Sequence, residues 1–251
     1  FSNYYQLSAM LKRALFDQLN AEINRMQGFK PRGSAVAVPK LNTFCEAFPN
    51  SIFPTGAIHE MLSPTPETMA ATTGFTLALL STFLNKQSAV VWISTQRKVY
   101  APALKSFGLQ PDRILFVDLP NEREALWAME EALKSAALTA VVGEVQNISF
   151  TASRRLQLAV EQSQVTGFVL HSGKQINTTA CVSRWRVSSL PSSHIDELPG
   201  IGHPQWKVEL LRMRNGKPGV WNLGWTKNEL ILVPSLAPPA VAGEPPLQRA
   251  G

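Results

Sequence analysis

Between residues 57 and 171, short apolar runs alternate with segments of helical period. The runs are Ala57–Leu62, Ala89–Thr95, Arg113–Leu119, Leu138–Val145 and Gly167–His171. The segments between them are Glu67–Asn85, Tyr100–Phe107, Asn121–Ala137 and Thr151–Gln164. Several of the runs, such as AVVWIST, are nearly continuously apolar rather than alternating apolar and polar, as strands buried on both faces are. Such strands, each followed by a helix, specify a mostly parallel sheet covered by helices on two sides, joined by right-handed crossovers. After residue 178 the helical period disappears. Ala180–Leu190, Trp206–Arg214, Gly219–Trp225 and Glu229–Val233 read as strands, and Asn215-Gly216 is a hairpin signal between two of them. An antiparallel extension is therefore expected beside the parallel sheet.

Helix signals refine this frame. Asn121 is the expected N-cap of its helix, with Glu122 and Glu124 in the first turn where the helix dipole favours acids. Thr151 is the expected cap of the next helix. Upstream, Leu7, Leu11, Leu15, Leu19 and Ile23 form one apolar stripe of an amphipathic helix that ends at Gly28. The stripe must be covered by the body of the protein or by a partner or second copy. The expected organisation is an N-terminal helix over 1–28, a linker or wrapping segment over 29–56 with four prolines, a core domain over 57–233 and a disordered, proline-rich tail over 234–251.

Composition narrows the function classes. With 251 residues, 45% of them hydrophobic, the chain is long and apolar enough to bury a sizeable core. Its two cysteines, Cys45 and Cys181, make no disulfide framework and no metal-ligand spacing, and they fit a reducing compartment. The longest apolar run, around Gly74–Leu84, is too short to span a bilayer, and residues 1–20 show no export signal. A cytoplasmic location is expected. The chain begins at Phe1 rather than Met, so its natural start is expected to differ. A net charge of +6 admits a polyanionic partner such as nucleic acid.

In an open α/β sheet, ligands bind at the carboxyl ends of the strands, so the turn after Ala57–Leu62 is the place to look. A phosphate cradle there needs a glycine-rich loop for its backbone N–H groups and a lysine for the phosphate oxygens. Residues 63–74 read SPTPETMAATTG, with no lysine and no glycine before Gly74. Pro64 and Pro66 each remove a backbone donor, and Glu67 brings negative charge to the position of a phosphate. No cofactor and no metal are expected.

A set of blocks resembles one family in order along the chain. They include Gly56-x-x-His59-Glu60, Val91-Trp92-Ile93, Tyr100-Ala101-Pro102 and Gly108-Leu109-x-Pro111-x-Arg113-Ile114. Next come Leu126-Trp127-Ala128-x-Glu130-Glu131-Ala132-Leu133 and Ser153-Arg154-Arg155-Leu156-Gln157-Leu158-Ala159. The last are Ser183-Arg184-Trp185-Arg186-Val187 and Trp206-x-Val208-Glu209-Leu210-x-Arg212-x-Arg214-Asn215-Gly216. Together they resemble the ImuA family, bacterial proteins of the damage-inducible mutagenesis system, over roughly residues 10–230.

The resemblance implies an α/β fold with a RecA-like core, similar also to the cell-division inhibitor SulA. It implies a place in the SOS response and translesion synthesis beside an ImuB-type Y-family polymerase homologue and an error-prone C-family polymerase. It also implies where chemistry is missing. The position of the recombinase's catalytic carboxylate carries Gln96, and that of its metal-holding Asp carries Gly143 or Glu144. The loops that would line DNA, Gln146–Phe150 and Ser172–Thr178, are short, and only Lys174 in them is charged.

The expected function is a non-catalytic RecA-like adaptor that binds the polymerase homologue, with RecA and DNA as further partners. A divergent ATPase using Glu144 with Thr72 or Thr73, and a SulA-like division inhibitor, are the alternatives. The candidate DNA or partner contacts are Arg154, Arg155, Lys174, Arg184, Arg186, Arg212 and Arg214. Period 2 puts the last four on one sheet face if their strands pair. The stripe Leu7, Leu11, Leu15, Leu19 and Ile23 is the candidate oligomer or partner helix. Trp185, Trp206, Trp221 and Trp225 are expected in the core, and His59, Glu60 and His171 are expected to be structural.

Overall fold

The computed structural model describes residues 42–84, 88–193 and 202–234. The leucine stripe of residues 7–23 and the tail from 235 lie outside the described residues. A short helix α1 (Asn42–Cys45) and a 3₁₀ turn (Pro49–Ser51) lead into β1 (Ile58–Leu62), α2 (Pro66–Phe83), β2 (Val90–Ser94) and β3 (Ile114–Asp118). There follow α3 (Glu122–Lys134), β4 (Ala140–Val145), α4 (Phe150–Ser163) and β5 (Thr166–His171). The chain closes with β6 (Ser183–Ser193), β7 (His203–Met213), β8 (Gly219–Thr226) and β9 (Glu229–Leu232). All nine strands form one sheet in the order β3-β2-β4-β5-β1-β6-β7-β8-β9.

The alternating runs become parallel strands, as their unbroken apolar character requires: β1, β2 and β5 are buried at every position. One strand departs from the expected pattern. β6, read as part of the antiparallel extension, pairs parallel with β1, His59 opposite Ser183 and Leu62 opposite Arg186. The antiparallel part begins only at β7. Residues 172–182 carry the chain across the sheet face without a helix. A crossover with no helical period leaves no sign in the sequence that the next strand is parallel.

Two apolar layers cover the sheet. On one face α2 and residues 44–53 pack an aromatic cluster. Phe44, Phe48, Phe53 and Phe75 surround Trp185, and Trp206 meets Phe75 edge-on at 6.1 Å. Trp185, Trp206 and Trp225 are buried and Trp221 packs against the cluster, so these four tryptophans belong to the core. On the other face α3 and α4 bury Met129, Leu133, Leu156 and Val160 against Ile58, Val91, Val141 and Val169.

The caps follow local chemistry. Asn121 Oδ1 accepts from the Glu124 N–H, as expected. α4 is capped by Ser149, whose hydroxyl accepts from the Ala152 N–H, and not by Thr151, which lies inside the helix. No helix among the described residues is long and apolar enough to cross a membrane.

Candidate functional site

The carboxyl ends of β1, β2, β4 and β5 converge where an open α/β sheet binds its ligands. At the end of β1, Thr65 caps α2. Its hydroxyl accepts from the Thr68 N–H at 3.3 Å, and the Thr65 N–H donates to the Thr68 hydroxyl at 3.0 Å. Glu67 in the first turn is held below the usual carboxylate range by the Thr65 hydrogen bond and its own backbone N–H. The donors of this helix end are therefore already directed at the chain's own groups. One turn on, Thr72 is fully buried and its hydroxyl accepts from Ser63 Oγ at 2.8 Å.

Beside this turn lies a cavity of about 80 Å³ lined by Met69, Thr95, Gln96, Lys98, Glu122, Glu144, Val145, Gln146 and Ser172. Glu144 is the penultimate residue of β4, and Trp92 Nε1–H donates to its Oε1 at 2.8 Å. Burial raises the Glu144 carboxyl above its ordinary range, with Asp118 adding to the effect against Trp92 and Lys98. Glu122, from the start of α3, accepts from the Gln146 N–H. Gly143 faces the core: a Cβ there would meet Met129 Sδ at 2.6 Å. Lys98, Glu122 and Gln146 had no motif to mark them, because three separate segments bring them to the cavity. Among the described residues no group of three His, Cys, Asp or Glu side chains is placed to hold a metal ion.

Below the strand ends runs a buried polar network centred on Glu60. Its Oε2 accepts from Arg184 Nε at 2.8 Å and from the Thr179 hydroxyl at 2.7 Å, and its Oε1 lies 3.2 Å from His171 Nδ1. Burial pushes the Glu60 carboxyl up, but hydrogen bonds from His171, Thr179 and Arg184 together hold it below its ordinary value. Its neighbour His59 points to the opposite face. There the Trp185 indole N–H donates to Ser183 Oγ, which lies 2.6 Å from His59 Nδ1, and His59 Nε2 lies 2.8 Å from the Pro54 carbonyl. A carbonyl accepts only, so Nε2 carries the proton and Nδ1 accepts. Burial holds this imidazole at about 4, well below 6.5. His59, Glu60 and His171 are thus fully buried.

The candidate arginines divide by environment. Arg184 and Arg212 face each other across β6 and β7, and a bulge follows between Arg184 and Trp185. Arg184 is spent on Glu60 and on the carbonyl of Asn177. Arg212 Nη2 donates to the carbonyls of Thr179 and Cys181, and Arg214 Nη2 to that of Ala180. These three side chains hold the crossover segment to the sheet. Arg186 is exposed, with Glu209 opposite on β7. Arg155 on α4 pairs with Glu130 of α3. Arg154 is half exposed, 3.9 Å from Glu161. Lys174 is exposed on the crossover.

Fold and site together define the class: an open α/β protein with a mostly parallel sheet, whose first strand–helix turn is capped by its own side chains. No family model matches the chain. It is 35% identical over 189 residues to Protein ImuA of Caulobacter vibrioides, in strains NA1000 / CB15N and ATCC 19089, covering 70% of this chain and 78% of those proteins. The chain belongs to the ImuA family. It is also 29% identical over 94 residues to the cell division inhibitor SulA of Photorhabdus laumondii, which covers 38% of this chain and 53% of that protein.

Proposed function

We propose that this protein is a non-catalytic, RecA-like adaptor in damage-induced translesion synthesis. Membership of the ImuA family suggests a role in damage-inducible mutagenesis. The adaptor would bind an ImuB-type Y-family polymerase homologue, with RecA and DNA as further partners.

The observation that carries the non-catalytic reading is the first strand–helix turn. Phosphoryl transfer needs a phosphate clamp, a metal support and a group to position water, all together. Here Thr65, Thr68 and Glu67 take the helix end, and Ser63 takes the Thr72 hydroxyl. Gln96 follows the end of β2 by two residues, and burial raises the Glu144 carboxyl beside Trp92. The weaker likeness to SulA is consistent with a shared core.

Calorimetry with Mg-ATP tests the reading. No heat of binding is expected, and a Kd tighter than about 100 µM, roughly −5.5 kcal/mol, would overturn it. Co-purification with the polymerase homologue tests the partner. Capture by the full chain is expected, weakened when residues 1–28 are removed, and absence of capture by the full chain excludes that partner.

A further inference from the structure

Arg212, on β7, and Arg214, just past its end, stand two residues apart, and each is anchored through Nη2 on carbonyls of residues 179–181 at 2.7–3.0 Å. Their Nε and Nη1 donors have no protein partner among the described residues. α4 is tied to the same segment, because the Ala180 N–H donates to Ser153 Oγ at 2.9 Å. The residue after Ser153 is Arg154, whose guanidinium has only a distant acidic neighbour, Glu161, at 3.9 Å. Arg184 nearby is already matched by Glu60. Arg154 and Arg214 thus have Glu161 as their acidic neighbour, and Arg212 lies beside Arg214.

We infer that Arg154, Arg212 and Arg214 form an oxyanion site that takes a phosphate group. Single Nε and Nη1 donors left by the carbonyl anchors of Arg212 and Arg214, together with the Arg154 guanidinium, suit an anion with several acceptor oxygens. The carbonyl anchors fix Arg212 and Arg214 in advance, so little side-chain freedom remains to be lost on binding. Burial holds Arg214 below its ordinary range; among its charged neighbours Glu161 opposes this, while Arg212 and Arg154 add to it. The phosphate has two sources, the phosphodiester backbone of single-stranded nucleic acid or a free phosphate. The site deepens the DNA-contact part of the proposed function and is independent of the polymerase partner.

The experiment measures binding of a fluorescent oligothymidylate by anisotropy and of inorganic phosphate by calorimetry, both at low salt. The proteins are the full chain, Arg154→Glu, Arg214→Gln, and Arg113→Glu as a charge-matched control on the β3 side of the sheet. Arg154→Glu changes an exposed helical position, so it keeps the fold even if Arg214→Gln does not, and thermal melting verifies this. A tenfold or greater loss of oligothymidylate affinity in Arg154→Glu, with Arg113→Glu near wild type, establishes the site as a phosphodiester contact. The salt slope should then fall by about 0.7 for each phosphate that is no longer neutralised. A tenfold loss confined to inorganic phosphate establishes a free-phosphate site. If folded Arg154→Glu weakens neither ligand tenfold, the inference is wrong. Co-purification of the polymerase homologue is read separately, so failure here is distinguishable from failure of the adaptor reading.

Discussion

At the scale of single residues, β1 sets two buried titratable groups side by side, one on each face of the sheet. Glu60 is matched to Arg184, and removing one partner of a buried pair leaves the other charge uncompensated. Glu60→Ala should therefore cost about 3–5 kcal/mol in urea unfolding. Replacing both partners, as Glu60→Leu with Arg184→Met, should cost less than the sum of the single changes, because no lone charge remains.

His59 governs the response to acid. Its folded value of about 4 lies below the ordinary 6.5, so between these pH values the unfolded chain binds a proton that the folded chain does not. Stability rises with pH across that window and is lost as pH falls through it, by up to about 3 kcal/mol from this group. Glu60 is depressed too, so its contribution is present above the ordinary carboxylate range and disappears only on further acidification. Urea midpoints measured from pH 7 to pH 4 should show the first decline, and His59→Gln should flatten it.

At the scale of elements, caps and close approaches decide the outcome. The α4 cap is Ser149, so Ser149→Ala should cost about 1 kcal/mol while Thr151→Ala changes stability little. β4 meets α3 at Gly143, where any Cβ would press on Met129 Sδ at 2.6 Å. Gly143→Ala should cost about 1–3 kcal/mol by overpacking, as read by thermal unfolding. Strand existence and order along the chain were readable because apolar runs and helical periods alternate. The parallel sense of β6 was not, because residues 172–182 contain no helix to announce a crossover. The Ser149 cap was obscured by a second hydroxyl residue, Thr151, two positions later.

At the scale of the whole molecule, the segment before β1 is part of the body. Phe44, Phe48 and Phe53 are buried in the aromatic cluster around Trp185. Phe48→Ala should cost about 3–5 kcal/mol, and a chain starting at residue 57 should fail to unfold cooperatively in calorimetry. The proline-rich composition of residues 29–56 suggested a linker or wrap; the aromatic side chains within it are what anchor its second half. At the other end, the antiparallel strands β7–β9 extend the sheet beyond the last helix. At the start of this extension Arg212 and Arg214 tie it to the crossover carbonyls.

The sequence alone determined the class of fold, the core placement of Trp185, Trp206 and Trp225 and the absence of lysine and of early glycines from the first strand–helix turn, because these depend on period, residue type and short spacing. It also pointed to the family, through blocks that keep their order. What only the tertiary structure decided were pairings across long separations: Glu60 with Arg184, Trp92 with Glu144, and Arg212 and Arg214 with the carbonyls of the crossover. A charged residue inside an apolar strand such as AIHEML signals that a buried partner must exist. Which partner it is depends on strand order and register, and those are set when distant segments pack.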